Sequence, residues 1–192
     1  MIWIKYGLKK KTNRFAKRTL DSFSNAMFEL ISEKSFESIK VIEICNKANY
    51  PRATFYNYFE DKYDLLNYCW MIFSEKINLE ECLEKQPEIR LFEIFNRMYD
   101  FLNDNSDKVR KIIKVNEREG ELINNFRFHF KKKVIDVMNQ CECSNNYKIP
   151  YEIIAEHYSN TVLMIIDWSL LKNKGSTKED SNKYLHLLLD NI

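Results

Sequence analysis

Apolar positions along the chain recur at helical spacing almost from end to end. Phe23, Met27, Leu30 and Ile31 make one face of a first helix expected over about 12–34. Ile39, Ile44 and Ala48 predict a short second helix ending near Asn49. Asn tolerates the left-handed backbone and Pro51 has no N–H to donate, so 49–51 reads as a tight turn. A third short helix follows from Pro51 to Phe59, with Phe55 and Phe59 facing inward at i and i+4. Glu60 and Asp61 then open a long fourth helix, where the helix dipole favours acids. Pro87 starts a fifth helix, striped by Leu91, Phe95, Met98 and Leu102, and Ser106 caps a short sixth. Gly120 precedes a seventh over roughly 121–139, and the polar stretch 142–148 is a loop. Pro150 begins an eighth helix that Gly175 ends. Ser176 and Glu179 form a capping box for a ninth, which runs through Leu185, Leu188 and Leu189.

The eighth helix is apolar nearly all round from Val162 to Leu171, broken mainly by Asp167 and Ser169. Such a helix has to be covered on every side. Part of that cover is expected from a second copy of the chain, with Val162, Ile165, Ile166 and Trp168, and Leu185 and Leu188 of the ninth helix, at the interface. A helix wholly internal to one chain is the alternative.

Composition narrows the class further. Among 192 residues there are three glycines and three prolines, too few for hairpin turns, Gly-rich phosphate loops or strand-to-helix nucleotide folds. Apolar residues at 45% and charged residues at 30% exclude a disordered tail. Five cysteines, no signal-peptide pattern in the opening Met-Ile-Trp-Ile-Lys and no long apolar run lead to the expectation of reduced thiols in a cytoplasmic protein without a membrane span. The net charge of +2 conceals an asymmetry: residues 1–60 carry eleven basic and six acidic side chains, while the remainder is slightly acidic. Seven of those basic residues fall within 1–18, a field suited to a polyanion or to a solvated tail.

Residues 37–62, ESIKVIEICNKANYPRATFYNYFEDK, have the layout of a helix-turn-helix. Ile44, Ala48, Phe55 and Phe59 pack the two short helices on the first, and Arg52, Thr54, Tyr56, Asn57 and Tyr58 face outward, rich in donors and rings. The run Ala48 to Phe59, with Asp61-Lys62 and Leu65-Leu66 behind it, resembles the TetR family of bacterial transcription regulators over about residues 12–68. A fainter likeness, Ile166-Asp167-Trp168 through Lys174-Gly175-Ser176 and Glu179, is similar to the dimerisation helices of the branch that includes regulators of dihydroxyacetone kinase operons.

The resemblance implies an all-α protein of about nine helices: a three-helix DNA-binding domain over 1–60 and a larger effector-binding and dimerisation domain over 61–192. It implies a homodimer that binds double-stranded DNA at a palindrome, as a repressor released by a small-molecule effector. Arg52, Ala53, Thr54, Tyr56 and Asn57 are then base or near-base contacts, and Tyr56, Tyr58 and Lys62 phosphate contacts. Three departures stand out. Lys40 replaces the family's Thr or Ser cap of the second helix, with Ser38 as a substitute cap and Lys40 reaching phosphate as a charge; Asn49 replaces Gly; Pro51 replaces Ser or Thr. Lys9, Lys10, Lys11 and Arg14 could track the DNA backbone or enter the minor groove.

In the body, Trp70, Tyr99, Phe126 and His157 are expected nearest an apolar effector pocket, with ordinary core as the competing reading. Cys141-Glu142-Cys143 lacks the accompanying ligands a zinc site needs, so neither metal nor cofactor is expected. No nucleophile elbow, His-Glu-x-x-His or P-loop is present, and catalytic residues are expected to be none. Two other readings remain open: an activator or co-regulator controlled by a protein partner, and a helical interaction protein that no longer reads DNA.

Overall fold

The computed structural model describes residues 14–82, 87–139, 149–172 and 176–189. The sequence expectations at Lys9–Lys11, Cys141–Cys143 and Gly175 lie outside the described residues. Among the described residues every regular element is helical. They are α1 (Arg14–Glu33), a 3-10 turn (Phe36–Ser38), α2 (Val41–Ala48), α3 (Arg52–Tyr58), α4 (Lys62–Lys76), α5 (Leu79–Cys82), α6 (Pro87–Asp104), α7 (Ser106–Val115), α8 (Glu121–Asn139), α9 (Tyr151–Ile166) and α10 (Lys178–Leu189). The one-turn α5 was not anticipated; it follows a chain reversal at Asn78, whose φ of 51° is left-handed.

The chain divides into two compact units, 1–73 with 111–125, and 74–110 with 126–192. The first unit therefore extends beyond the 1–60 expected to bind DNA, because the end of α7 and the start of α8 pack with it. Its core is aromatic and centred on Phe23 of α1, which is fully buried. The Phe23 ring meets Phe55 edge-on at 5.4 Å, Phe59 edge-on at 6.1 Å and Tyr50 at 5.5 Å. These rings bind α2 and α3, of eight and seven residues, onto a helix of 20. Helices that short are marginal without tertiary support.

Local chemistry fixes the elements around this core. Asn49 adopts φ 58°, ψ 44°, and the Tyr50 amide donates to the Cys45 carbonyl at 3.0 Å, closing α2 in a left-handed cap. Lys40 is the N-terminal flank of α2, and its own amide donates to the Glu43 carboxylate at 2.9 Å. An ammonium cannot accept the return bond of a capping box. Ser38 is not the substitute cap: its hydroxyl donates back to the Ser35 carbonyl at 2.7 Å. Asp61 starts α4 as expected, its Oδ1 accepting the amides of Tyr63 and Asp64 at 2.8 and 2.9 Å.

In the second unit, Ile94, Phe95, Met98, Phe130, Val134, Val162, Ile165 and Leu185 form the core. The seam between α6 and α10 carries Asn182 donating to Asn96 at 2.8 Å, the Lys178–Asp100 ion pair at 2.7 Å, and Phe92 stacked on His186 at 3.9 Å. The expected single helix from Pro150 to Gly175 is α-helical only to Ile166. It then widens into a π-helical turn, Asp167–Lys172, bridged by the Lys172–Asp167 ion pair at 2.8 Å. There the buried Ser169 and Ser181 hydroxyls meet at 2.7 Å, a close approach that only small side chains allow.

The α10 cap lies one residue beyond the expected Ser176–Glu179 pair. Thr177 Oγ1 accepts the Asp180 amide at 3.1 Å, and Asp180 Oδ2 accepts the Thr177 amide at 3.2 Å. The Ser176 hydroxyl is buried without a hydrogen-bond partner. Thr177→Ala should therefore lower stability by about 0.5–2 kcal/mol in urea titration. Ser176→Ala should leave the midpoint unchanged or raise it, since it removes an unpaired polar group; an equal loss from both would reject the shifted cap.

Candidate nucleic-acid interface

The turn at Asn49–Pro51 launches α3 so that one side is anchored and the other is open. Phe55 and the flanking Phe59 are fully buried, whereas Arg52, Ala53, Tyr56 and Asn57 are exposed and Thr54 and Tyr58 half-buried. All six expected contact residues of this helix thus reach its solvent side at least in part. The arrangement follows from a 3.6-residue period acting on a seven-residue helix with two aromatic anchors.

Arg52 is partly preorganised. Its Nη2 donates to the Tyr56 hydroxyl at 3.3 Å, and the guanidinium lies 5.8 Å from the centre of the Tyr56 ring. A guanidinium held over a ring still has donors free for a guanine edge or a phosphate. Pro51 precedes α3 without any side-chain cap. Lys40 is exposed at the start of α2, and Arg14, Lys17 and Arg18 are exposed along the start of α1. Other basic groups are engaged within the protein. Lys47 pairs with Glu33 at 2.6 Å and Glu29 at 3.3 Å, which raises its pKa. Lys34 pairs with Glu43, and that ammonium, followed by the Lys40 amide, holds the Glu43 carboxyl below its ordinary value.

Lys62 has a second duty that its expected phosphate role did not foresee. Its ammonium donates to the carbonyls of Phe36 and Glu37, both at 2.9 Å, and sits 4.6 Å from the centre of the Phe36 ring. Two of its three N–H groups are spent on the α1–α2 loop. Tyr63 beside it donates to the Glu121 carboxylate, and that bond, with burial second, pushes the phenol up to about 12. Cys45 and Cys69 are buried, as small hydrophobes.

The four expected effector residues fall in both units. Trp70 lies in the first unit, buried, its indole N–H donating to Asn125 Oδ1 at 2.7 Å. Tyr99, Phe126 and His157 lie in the second unit. Tyr99 is buried against Phe95 at 5.9 Å, Phe126 is half-buried, and His157 is exposed on α9. The body's most perturbed histidine is instead His129. It sits 3.1 Å from the Ser74 hydroxyl, and burial, then Lys133 and Lys132, lowers its pKa to about 4. Among the described residues no group of His, Cys, Asp or Glu could hold a metal ion, and no helix is long and apolar enough to cross a membrane.

The expected subunit contacts also divide. Val162, Ile165, Ile166 and Leu185 are covered by their own chain and have almost no surface left to offer. Trp168 at 49% and Leu188 at 44% remain exposed, together with Met164 at 55% and Leu187 at 60%. Ile153, His157, Asn160 and Met164 form one exposed stripe on α9, spaced by three or four residues, and Trp168 follows it in the π-helical turn. That spacing was legible in the sequence, but two apolar stripes on one helix could not be ranked there.

The comparisons with known proteins agree with this geometry. Residues 25–69 match the family model described as bacterial regulatory proteins, tetR family. The structure of the dihydroxyacetone kinase operon activator DhaS is similar at TM-score 0.53 and 19% identity, over 91% of this chain and 96% of that one. NalD, the secondary repressor of the MexAB-OprM multidrug efflux pump in Pseudomonas aeruginosa, is similar at TM-score 0.51 and 18% identity, over 91% of this chain and 95% of that one. No curated protein matches the sequence. The match defines residues 25–69 as a helix-turn-helix of the TetR family, the DNA-binding element of such regulators. The relatives it is like are regulators rather than enzymes.

Two outcomes are expected from this chemistry. Arg52→Ala should weaken binding to a preferred sequence by about 1–3 kcal/mol in fluorescence titration while leaving random duplex nearly unaffected. Equal losses on both would reject base reading by Arg52. The folded chain holds His129 neutral down to about 4, whereas an unfolded chain protonates near 6.5. Its contribution to stability is present above pH 6.5 and is lost as the pH falls through 4. His129→Gln should flatten that decline in urea midpoints measured across the interval.

Proposed function

We propose that the protein is a homodimeric transcription repressor that reads a palindromic operator through α3 and is released by an effector bound among its C-terminal helices. The observation that carries the DNA reading is the division of α3: Phe55 is fully buried, and Arg52, Tyr56 and Asn57 on the same two turns stand in solvent. Arg and Asn have the donor geometry to read guanine and adenine edges, Tyr56, Tyr58 and Lys40 supply groups suited to phosphate, and Lys62 has one N–H left for phosphate beyond the two that hold the α1–α2 loop. Exposed basic residues at the start of α1 add attraction that depends on salt.

Dimerisation is supported by the exposed stripe of α9 with Tyr184, Leu187 and Leu188 of α10. A second copy of the same face would cover those side chains by two-fold symmetry. Release by an effector needs only that the ligand bind one arrangement of the dimer better than the other.

Selection of bound sequences from a random duplex pool tests the reading directly. Enrichment of a palindrome with half-sites about one helical turn apart is expected. In sedimentation, Met164→Glu combined with Trp168→Glu should yield a folded monomer that has lost the palindrome. A wild-type monomer, or a pool with no enriched sequence, would overturn the proposal.

A further inference from the structure

The loop that leads into α2 is held from two sides by residues far away in sequence. Asn116, just past the end of α7, is 4% exposed. Its Oδ1 accepts the Phe36 amide at 2.8 Å, and its Nδ2 donates to the carbonyls of Ile31 and Ile112, each at 2.8 Å. One buried side chain thus ties the last turns of α1 and α7 to the 3-10 turn. From the other side, Lys62 holds the carbonyls of Phe36 and Glu37.

The Glu37 side chain completes the arrangement. Its Oε1 accepts the Glu121 amide at 2.9 Å, at the first residue of α8. The Glu121 carboxylate in turn accepts the Tyr63 hydroxyl. Gly120 lies against the same oxygen: a Cβ there would stand 3.0 Å from Glu37 Oε1 and 3.1 Å from the Glu117 carbonyl. A side chain at 120 would crowd both the Glu37 carboxylate and the Glu117 carbonyl beside the amide that Glu37 accepts.

We propose that residues 112–121 form a hydrogen-bonded lock on the α1–α2 loop, and that Glu37 and Asn116 are positioning residues for DNA reading. This inference rests on the DNA-reading function proposed above and names the joint through which that site is controlled. The 3-10 turn ends at Ser38, three residues before α2 begins at Val41, and the rigid turn at Asn49–Pro51 joins α2 to α3. A change in the setting of residues 36–38 is therefore passed to α2 and, through that turn, to α3, alongside the packing on Phe23. A shift of the α7–α8 corner that breaks these bonds reaches the reading helix without touching any residue on its DNA face. Coupling of this kind between sites typically spans about 5–150-fold in affinity.

Asn116→Ala leaves buried backbone groups unpaired and destabilises the domain, so the exposed Glu37 and the half-buried Gly120 carry the test. An operator duplex is first selected with the wild-type protein. Wild type, Glu37→Ala, Glu37→Gln and Gly120→Ala are then titrated on the operator and on random duplex, with thermal melting alongside. Both Glu37 variants remove the same negative charge, but only Gln keeps an acceptor for the Glu121 amide, so the pair isolates the hydrogen bond. The expected result is a loss of at least about fivefold on the operator for Glu37→Ala and Gly120→Ala. Random-duplex binding and melting stay near wild type, and Glu37→Gln stays within about twofold of wild type on the operator. Wild-type operator binding by Glu37→Ala and Gly120→Ala would overturn the lock. So would equal losses on operator and random duplex. A wild-type protein that enriches no sequence would instead overturn the DNA reading itself, and the lock with it.

Discussion

The burial of one ring, Phe23, is the constraint from which the DNA-reading architecture follows. Its contacts with Phe55 and Phe59 are edge-on, an arrangement the ring quadrupole favours. Neither α2 nor α3 is long enough to persist alone. Both become helices of fixed orientation because Ile44, Ala48, Phe55 and Phe59 find a ready apolar face on α1. Phe59 continues the cluster to Tyr68 of α4 at 5.6 Å, so the first turns of the long helix share the same core. Once the rings are placed, the outward direction of Arg52, Tyr56 and Asn57 is no longer a free choice.

The charge on the surface is less uniform than the sequence count suggests. Lys34 and Lys47 are neutralised locally by Glu43, Glu29 and Glu33, and Lys62 is occupied by backbone carbonyls. Within α1 to α3, the basic groups left for a polyanion are Arg14, Lys17, Arg18, Lys40 and Arg52, all exposed. Exposed ion pairs of this kind contribute little to stability. Their effect here is to remove some positive groups from competition and leave others near the reading helix.

The second unit shows how self-burial and surface divide a single apolar helix. Val162, Ile165 and Ile166 face their own core, while Ile153, Met164 and Trp168 face out. The π-helical turn at 167–172 brings Ser169 against Ser181 and leaves Trp168 exposed. An extra backbone residue in one turn changes which side chains follow each stripe. Sequence periodicity assumes a constant 3.6-residue repeat and does not carry that information.

Much of this protein was legible before any coordinates. The helix boundaries near 14–33, 41–48, 52–58 and 121–139, the left-handed Asn49 and the inward pair Phe55 and Phe59 all follow from local rules of period, turn and cap. The outward set on α3 follows from the same period once its two anchors are named. Other features depend on which distant residues meet. Lys62 on two loop carbonyls and Asn116 bridging Phe36 and Ile31 join groups 25 to 85 positions apart, and no local pattern encodes those distances. The one-residue shift of the α10 cap arose because Ser-x-x-Glu and Thr-x-x-Asp overlap, and only the geometry of the chain entering that helix chooses between them. The sequence by itself determined the helices and the character of each face. Tertiary structure decided which faces meet, because burial and hydrogen bonding are satisfied by the chain as a whole rather than by any one segment.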